Sequence, residues 1–297
     1  MSIQIASAPV SWGIYEFEGI EPRFTYQTVL DQIAEAGYTG IELGPYGYLP
    51  TDPDLLRHEL EARKLRLLSA FVPVPLADER ASDIGIQEAL KVGHLLAELG
   101  AVYIVLADDN GKVSDLVARA GQRTGSVLSN DAWDEVAQRV NLIAQRLHAE
   151  TGLSVVFHHH CAGYVETPDE TRALFDRLDD EVGLCLDTGH WHYAGGDALA
   201  CIAEYGQRIR HLHLKDCHPD IARACRAEGK NYFQAVEAGV FCPLGEGEVN
   251  FAGVMQALTN LGYDGWAVVE QDILTEDNSA PLRYARANRD YLRQLGY

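Results

Sequence analysis

The chain of 297 residues carries 24 Lys and Arg residues against 44 Asp and Glu residues, which gives a formal net charge of −20. Such an excess of negative charge repels phosphate backbones and argues against a nucleic-acid partner. Hydrophobic residues make up 47% of the chain and charged ones 23%, which is typical of a globular protein. No apolar run reaches the roughly 20 residues that a membrane-spanning helix requires.

Short runs rich in Val, Ile and Leu alternate along the chain with longer segments of helical periodicity. The predicted strands cover 3–9, 40–44, 65–74, 101–108, 153–159, 182–187, 209–216 and 266–272. The predicted helices cover 25–38, 52–64, 82–100, 132–152, 167–179, 197–207, 251–263 and 280–296. Two longer connections, 108–131 and 216–250, each follow the carboxyl end of a predicted strand.

Eight strand–helix units in succession predict an α/β fold of the (β/α)8 barrel type. The alternative is a doubly wound open sheet, which would more naturally stop at five to seven strands. No Pro/Ser-rich linker and no internal repeat interrupts the pattern, so we expect residues 1–297 to form a single domain.

The first residues, "MSIQIASAPVSWG", lack the basic and leucine-rich regions of a secretory signal. Six cysteines without a CxxC pair do not form a disulfide framework. Both features favour a reduced, cytoplasmic protein.

Polar and ionisable side chains gather at the carboxyl ends of the predicted strands, where barrel enzymes carry their catalytic groups. They come from distant parts of the sequence, which indicates an active site more strongly than any single motif. The side chains concerned are Trp12, Glu42, Asp108, Asp109, His158, His159, His160, Asp187, His190, His211, His213, Lys215, Asp216, Glu270 and Asp272.

The stretch "VVFHHHCAG" (155–163) ends a predicted strand with three histidines. Because successive side chains of a strand point to opposite faces, His158 and His160 share one side and His159 takes the other. We expect His158 and His160 to reach the barrel mouth and His159 to pack against the helix layer or a loop. The alternative for His158 is a hydrogen-bonded structural histidine.

Imidazoles and carboxylates at these strand ends form a mixed N/O donor set, which suits Mn, Co, Fe or Zn better than Mg or Ca. Of His211 and His213, one is expected to be a ligand and the other to be structural. Asp187 has the alternative role of capping the following turn, and Glu270 that of an ordinary salt bridge at a strand end.

The stretches "DTGH" (187–190), "HLHLKD" (211–216), "GEG" (245–247) and "VVE" (268–270) resemble the xylose-isomerase-like TIM barrels, which include sugar isomerases, epimerases and endonuclease IV. More narrowly, "APVSWG", "GIELGPYGYLP", "FHHHCAGYVET", "YFQAVEAGVFCPLGEGEVNF" and "WAVVEQD" are similar to the myo-inosose-2 dehydratases of inositol catabolism. The similarity spans nearly the whole chain.

The resemblance implies one divalent metal ion, with Mn or Co expected first and Zn, Fe or Mg as alternatives. The matching ligand positions are His158, Asp187, His213 and Glu270. Sugar epimerases of this superfamily usually have Glu at the position of His158, so a mechanism with paired glutamates is less suited to this chain. Endonuclease IV uses three metals and an Asp-Arg-His motif, whereas this chain reads "GVFCPLGEG" there.

The leading hypothesis is therefore a dehydratase, a carbon–oxygen lyase, acting on 2-keto-myo-inositol (inosose) or a similar polyhydroxy ketone through a metal-stabilised enolate. His160, Lys215 and Glu270 are the candidates for proton transfer, without an order among them. Glu42, His190 and Asp216 are expected to hold substrate hydroxyls. Trp12 is expected to form a wall of the pocket or, alternatively, to be structural.

Two other functions remain open at this stage. A ketose 3-epimerase or an aldose–ketose isomerase would begin with the same proton abstraction, and a polyol-binding protein would have lost catalysis. The apolar residues of the two long connections predict lids or subunit interfaces, and hence a homo-oligomer such as a dimer or tetramer.

Overall fold

The computed structural model describes residues 3–17, 19–108 and 111–297. Asp109, which the sequence placed at the end of the fourth strand, lies outside the described residues. Short strands and helices alternate throughout the described chain. The strands are β1 (Gln4–Ser7), β2 (Gly40–Ile41), β3 (Arg66–Leu67), β4 (Ser69–Val74), β5 (Tyr103–Asp108), β6 (Ser154–His158), β7 (Gly183–Asp187), β8 (Ile209–Leu214), β9 (Asp216–Cys217), β10 (Phe241–Cys242) and β11 (Trp266–Val269).

The main sheet has the strand order β3-β2-β1-β11-β8-β7-β6-β5-β4, and its neighbouring strands pair in parallel. The strands at its two ends, β3 and β4, are separated in the chain only by Leu68. The backbone of Leu68 bonds to Ile41 on one side and to Val102 on the other, so the sheet closes through this residue. The result is the predicted eight-membered barrel, with its third strand divided into two pieces.

The helices connect the strands and pack around the barrel. The α-helices are α1 (Tyr26–Ala36), α2 (Pro53–Ala62), α3 (Glu79–Glu98), α4 (Ser114–Ala118), α5 (Asn130–Thr151), α6 (Pro168–Phe175), α7 (Thr188–Tyr193), α8 (Ala198–Tyr205), α9 (Pro219–Ala227), α10 (Tyr232–Glu237), α11 (Phe251–Asn260) and α12 (Ala280–Gln294). Two short 3-10 helices cover Pro9–Trp12 and Gly206–Arg208. None of the described helices is long and apolar enough to cross a membrane.

The predicted helices begin where the sequence supplies a cap. Thr25 accepts the backbone N–H of Thr28 at the start of α1, and Thr167 and Glu170 form a capping box around the first turn of α6. Apolar side chains on the inner faces of the helices and the outer face of the barrel form one continuous core. This shell fixes the strands, and therefore the side chains at their carboxyl ends, in place.

The two long connections contain elements that periodicity did not predict. Connection 108–131 carries the one-turn helix α4. Connection 216–250 folds into a small unit of α9 and α10 closed by the antiparallel pair β9–β10. These elements are too short to give a clear helical or alternating pattern, because each spans at most two or three turns or two paired residues.

Candidate active site and metal centre

A cavity of about 470 Å³ opens at the carboxyl ends of the barrel strands. Its volume is in the range of small-molecule sites. Most of the side chains that the sequence assigned to proton transfer or metal binding line it, together with Glu42, which was assigned to substrate binding. The former are His158, His160, His213, Lys215 and Glu270. These positions, distant in the sequence, lie around one cavity in the described chain.

Strand register brings the ionisable residues side by side. Asp187 at the end of β7 pairs with His213 on β8, and His158 at the end of β6 pairs with Cys185 on β7. Glu270 directly follows β11 and donates its backbone N–H to Leu214. Since parallel strands end at the same edge of the barrel, these side chains form one cluster in its interior.

The two oxygens of the Asp187 carboxylate have different surroundings. Its Oδ1 accepts the backbone N–H groups of Gly189 and His190 at 2.8 Å each, which caps α7. Its buried Oδ2 makes no hydrogen bond within the described residues and faces the cluster. The two interpretations of Asp187 from the sequence, a helix cap and a ligand donor, are therefore compatible.

The donor atoms fit a divalent metal ion in type and spacing. His213 Nδ1, also buried without a hydrogen bond, lies 3.9 Å from Asp187 Oδ2 and 3.2 Å from Glu270 Oε2. His158 Nε2 lies 3.7 Å from Asp187 Oδ2. Ligand atoms bound at about 2.0–2.2 Å to one ion are roughly 3–4 Å apart. Asp187, His213 and Glu270 thus form one group of donors that could hold an ion, and His158 lies beside Asp187 at its edge.

Glu42 holds the opposite side of the His213 ring. Its Oε1 lies 3.2 Å from His213 Nε2, 2.7 Å from His211 Nε2 and 2.8 Å from Ser69 Oγ. A carboxylate bonded to one ring nitrogen directs the other nitrogen toward a metal. Although burial opposes it, the neighbouring His213 and His211 hold the pKa of Glu42 well below its usual value. Glu42 was expected to bind substrate; it lines the cavity and also contacts Ser69 and the two histidines.

Cys185 is a donor that the sequence analysis did not identify. Its sulfur belongs to a second potential ligand group with His158 and His213. Position 185 is two residues before Asp187, so strand alternation alone would have placed both side chains in the barrel interior. Burial raises the pKa of the Cys185 thiol to about 11, so it is neutral here.

Lys215 is fully buried among carboxylates. Its Nζ lies 2.9 Å from Asp272 Oδ1, 3.2 Å from Asp187 Oδ2 and 3.3 Å from Glu270 Oε2. Burial alone would lower the pKa of this ammonium, but Asp187, Asp272 and Glu270 raise it well above its usual value. Lys215 is therefore charged, which suits a proton donor or a counter-charge and not a base.

His160 lines the cavity beyond the end of β6. Its Nδ1 lies 2.6 Å from the carbonyl oxygen of Cys161, which fixes the ring with Nδ1 as the donor. Burial and the neighbouring His158 and Lys215 lower the pKa of His160 well below its usual value. A neutral imidazole on the cavity wall is suited to accept a proton.

His159 points away from the cavity, as strand alternation predicts. Its ring lies edge-on to Trp191 at 4.8 Å, and its Nε2 accepts the backbone N–H of Asp187. It is completely buried, and burial lowers its pKa to about 3. His159 is thus a neutral support for the strand end that carries Asp187.

His190 lies behind Lys215 and does not line the cavity. Its Nε2 is 3.0 Å from Lys215 Nζ and 3.4 Å from Asp272 Oδ2, and its ring packs edge-on against Phe241. His190 was expected to bind a substrate hydroxyl. In the structure its ring contacts Lys215 and holds the ammonium group of that residue in place.

Two predicted substrate contacts lie elsewhere. Trp12 is 2% exposed, packs in the hydrophobic core and donates its indole N–H to Gln32, so it is structural. The carboxylate of Asp216 accepts the backbone N–H groups of four residues, namely Cys217, Gly245, Gly247 and Val249. Asp216 thereby fixes the "GEG" turn, because a buried carboxylate is stabilised by donors that converge on it.

The cavity wall also contains residues to which the sequence gave no role. Tyr232, on α10, donates its hydroxyl to Asp272 Oδ2 at 3.1 Å. Asp272 stood at a predicted strand end and had no assigned function, and Tyr232 lies in the long connection 216–250. In the structure Leu116, Val117, Tyr232 and Phe241 are all buried within the chain, so the two connections close over the barrel.

The comparisons with known proteins agree with this architecture. The family model described as xylose isomerase-like TIM barrel matches residues 30–295. An inosose dehydratase of Geobacillus thermodenitrificans is 31% identical over 296 residues, which cover 98% of this chain and 97% of the relative. The family and the fold expected from the sequence are both confirmed.

Two solved structures are similar in fold. The IolI protein with a bound zinc atom has a TM-score of 0.71 and 16% identity, covering 99% of this chain and 98% of the other. The 3-keto-D-glucoside 4-epimerase YcjR from E. coli has a TM-score of 0.68 and 17% identity, covering 99% of each chain. At these identities the likeness concerns the fold alone.

Proposed function

The chain belongs to the xylose isomerase-like TIM barrel family, and from that premise we propose that it is a metal-dependent hydro-lyase that dehydrates inosose or a closely similar polyhydroxy ketone. The observation that carries the proposal is the arrangement of His160 beside a cluster of four donors that suit one divalent ion. The similarity to an inosose dehydratase over nearly the full length of both chains supports the choice of reaction.

His158, Asp187, His213 and Glu270 would hold the ion. When bound, a divalent ion supplies Lewis-acid polarisation of a substrate carbonyl and so acidifies the neighbouring C–H group. We propose Mn or Co first, with Zn as the main alternative because two of the four donors are imidazoles and a thiol lies beside them.

The surroundings of His160, Lys215 and Glu270, the three candidates for proton transfer, suit each of them to a different role. His160 is the base, because its ring is neutral, lines the cavity and carries its other proton on Nδ1. Lys215 is an ammonium that can neutralise negative charge developing on the substrate oxygen. Glu270 points at His213 and is assigned to the ligand set.

The charge of the cavity favours an uncharged substrate. Among the described residues, its wall carries the carboxyl groups of Glu16, Glu42, Asp78, Glu88, Glu270 and Asp272 and two ammonium groups, those of Lys112 and Lys215. No arginine is among the described residues of the wall. A keto acid or a sugar phosphate would meet net repulsion there, whereas a neutral cyclic polyol would not.

The second candidate is epimerisation or isomerisation of a keto sugar, which begins with the same proton abstraction. The fold is compatible with it, because the 3-keto-D-glucoside 4-epimerase YcjR has the same fold. The resemblance to sugar epimerases implies a Glu at the position of His158, so the second proton-transfer group of that mechanism would have to come from elsewhere.

The deciding experiment is to incubate the purified protein with inosose after chelation and after stepwise addition of Mn²⁺, Co²⁺ or Zn²⁺. Dehydration produces a conjugated dione that absorbs in the ultraviolet. Epimerisation produces a new ketose and no such absorbance, and a binding protein changes neither. Full turnover in a sample without metal would contradict the metal-dependent reaction.

We further propose that residues 1–297 act as one domain, that the protein works in the cytoplasm as a homo-oligomer, and that it has no nucleic-acid partner. The six cysteines are all free and buried, which suits a reducing compartment. Light scattering at micromolar concentration tests the oligomer, for which a monomer would be the contrary result.

A further inference from the structure

We propose that Glu16 is the acid that protonates the departing hydroxyl group in the dehydration. The inference rests on the proposed function, and it concerns a residue outside the metal cluster. Glu16 lies on the connection between β1 and α1 and faces the same cavity as His160 and Glu270.

The connection that carries Glu16 is anchored on both sides of this residue. Tyr15 donates its hydroxyl to the carbonyl oxygen of Ile273 at 2.9 Å, beyond the end of β11. The ring of Phe17 stacks with that of Tyr15 at 5.7 Å and meets Phe233 edge-on at 5.1 Å. These contacts tie the segment that carries Glu16 to residues directly beside Asp272 and Tyr232, which line the same cavity.

The groups around Glu16 are mostly negative. The carboxylates of Glu270, Glu42 and Asp272 share the cavity with it. The positively charged groups of the cavity are Lys112 and Lys215. The ammonium group of Lys215 already lies between the carboxylates of Asp187, Glu270 and Asp272. Among the described residues, no lysine or arginine forms an ion pair with Glu16.

These surroundings favour the protonated form of Glu16. Burial, and then the charges of Glu270, Glu42 and Asp272, raise its pKa to about 8. An acid with this pKa can donate a proton near neutral pH and recover it from solvent. A pair of groups whose surroundings favour opposite protonation states is the usual arrangement for acid–base catalysis.

The step balances without an oxidant or a reductant. The base takes the proton next to the carbonyl, and the electron pair of that C–H bond forms the new C=C bond. The adjacent C–O bond breaks, and its oxygen takes the proton of the Glu16 carboxyl group and leaves as water. The base returns its proton to solvent, and the Glu16 carboxylate regains one from solvent.

The test separates proton abstraction from loss of water. Glu16→Gln should reduce kcat for dehydration by about 10²–10⁴-fold, the usual contribution of a general acid. The variant should still exchange the substrate hydrogen next to the carbonyl for deuterium in D2O, since abstraction does not need the acid. Glu21→Gln, an exposed change on the same connection, is the matched control and should behave as wild type.

The pH profile gives a second readout. Wild-type kcat/KM should fall as pH rises through about 8, where Glu16 loses its proton, and this decline should be absent in Glu16→Gln. Glu16→Asp should keep the decline and part of the activity, and it serves as the test if Glu16→Gln does not fold.

Dehydration within a few-fold of wild type in folded Glu16→Gln would overturn the assignment. Equal loss of exchange and dehydration would overturn it as well, because Glu16 would then act in binding or in abstraction. Failure of the proposed function has a different result: the wild-type protein itself would form no dione from inosose.

Discussion

Glu42 and His213 are joined across the barrel interior, with Glu42 Oε1 3.2 Å from His213 Nε2, on the side of the ring opposite to Asp187 and Glu270. This contact makes Nε2 the proton-bearing nitrogen and leaves Nδ1 for a metal ion. A strand-end glutamate that the sequence associated with substrate is thus placed to orient a ligand.

Glu42→Gln should therefore weaken metal binding by about 10–100-fold, because an amide is a poorer partner for the ring N–H. Calorimetric titration of the metal-free protein with Mn²⁺ or Co²⁺ measures the effect. Glu88→Gln, an exposed change at the cavity edge, should leave the affinity unchanged. Unaltered affinity in Glu42→Gln would place Glu42 outside the metal centre.

Alanine substitutions of His158 and His160 should affect metal binding and activity differently. His158→Ala should lose bound metal together with activity, since it removes a donor 3.7 Å from Asp187 Oδ2. His160→Ala should keep most of its metal while kcat falls by about 10²–10⁴-fold. Metal analysis of both variants beside steady-state kinetics distinguishes them, and a metal-free His160→Ala protein would speak against the assignment.

His159→Ala should lower stability and not chemistry. Removing the ring leaves the buried backbone N–H of Asp187 without its acceptor, which costs about 1–3 kcal/mol, and also opens space beside Trp191. We expect a lower Tm and, in the folded protein, kcat within a few-fold of wild type. A dead but fully stable His159→Ala variant would mean that His159, and not His160, faces the substrate.

The sequence predicted the barrel because each buried strand and amphipathic helix leaves a local pattern. It also predicted which histidines face the cavity and which one faces away, since strand alternation continues through residues 158–160. It could not separate Asp216 from the cavity residues, because three of the four N–H groups that surround its carboxylate come from a turn 29–33 residues further on. Trp12 was ambiguous for a similar reason: its partner Gln32 lies on α1, and only the packed structure brings the two together.

The thiols should be inert in the folded protein. All six cysteines are free and buried, and burial raises the pKa of Cys217 to about 12. Since the thiolate is the reactive form, native protein should react slowly with a disulfide reagent even at pH 9. The same sample in denaturant should release six equivalents. Rapid reaction of one or more thiols in the native state would indicate that a buried segment opens readily.

Asp216 should stabilise the folded structure of segment 216–250, which contains α9, α10 and the β9–β10 pair. Its Oδ1 accepts the N–H groups of Cys217 and Val249, and its Oδ2 accepts those of Gly245 and Gly247. Asp216→Asn keeps one oxygen and can keep one pair of these bonds, whereas Asp216→Ala loses all four.

A hydrogen bond to a charged group contributes about 1.5–3 kcal/mol. Asp216→Ala should therefore lower the free energy of unfolding by more than one such contribution, and Asp216→Asn should lower it by less than Asp216→Ala does. Urea unfolding measures both, and limited proteolysis should cut segment 216–250 faster in Asp216→Ala than in wild type. If Asp216 instead bound substrate, as the sequence first suggested, Asp216→Asn would raise KM while leaving the urea midpoint and the proteolysis rate unchanged.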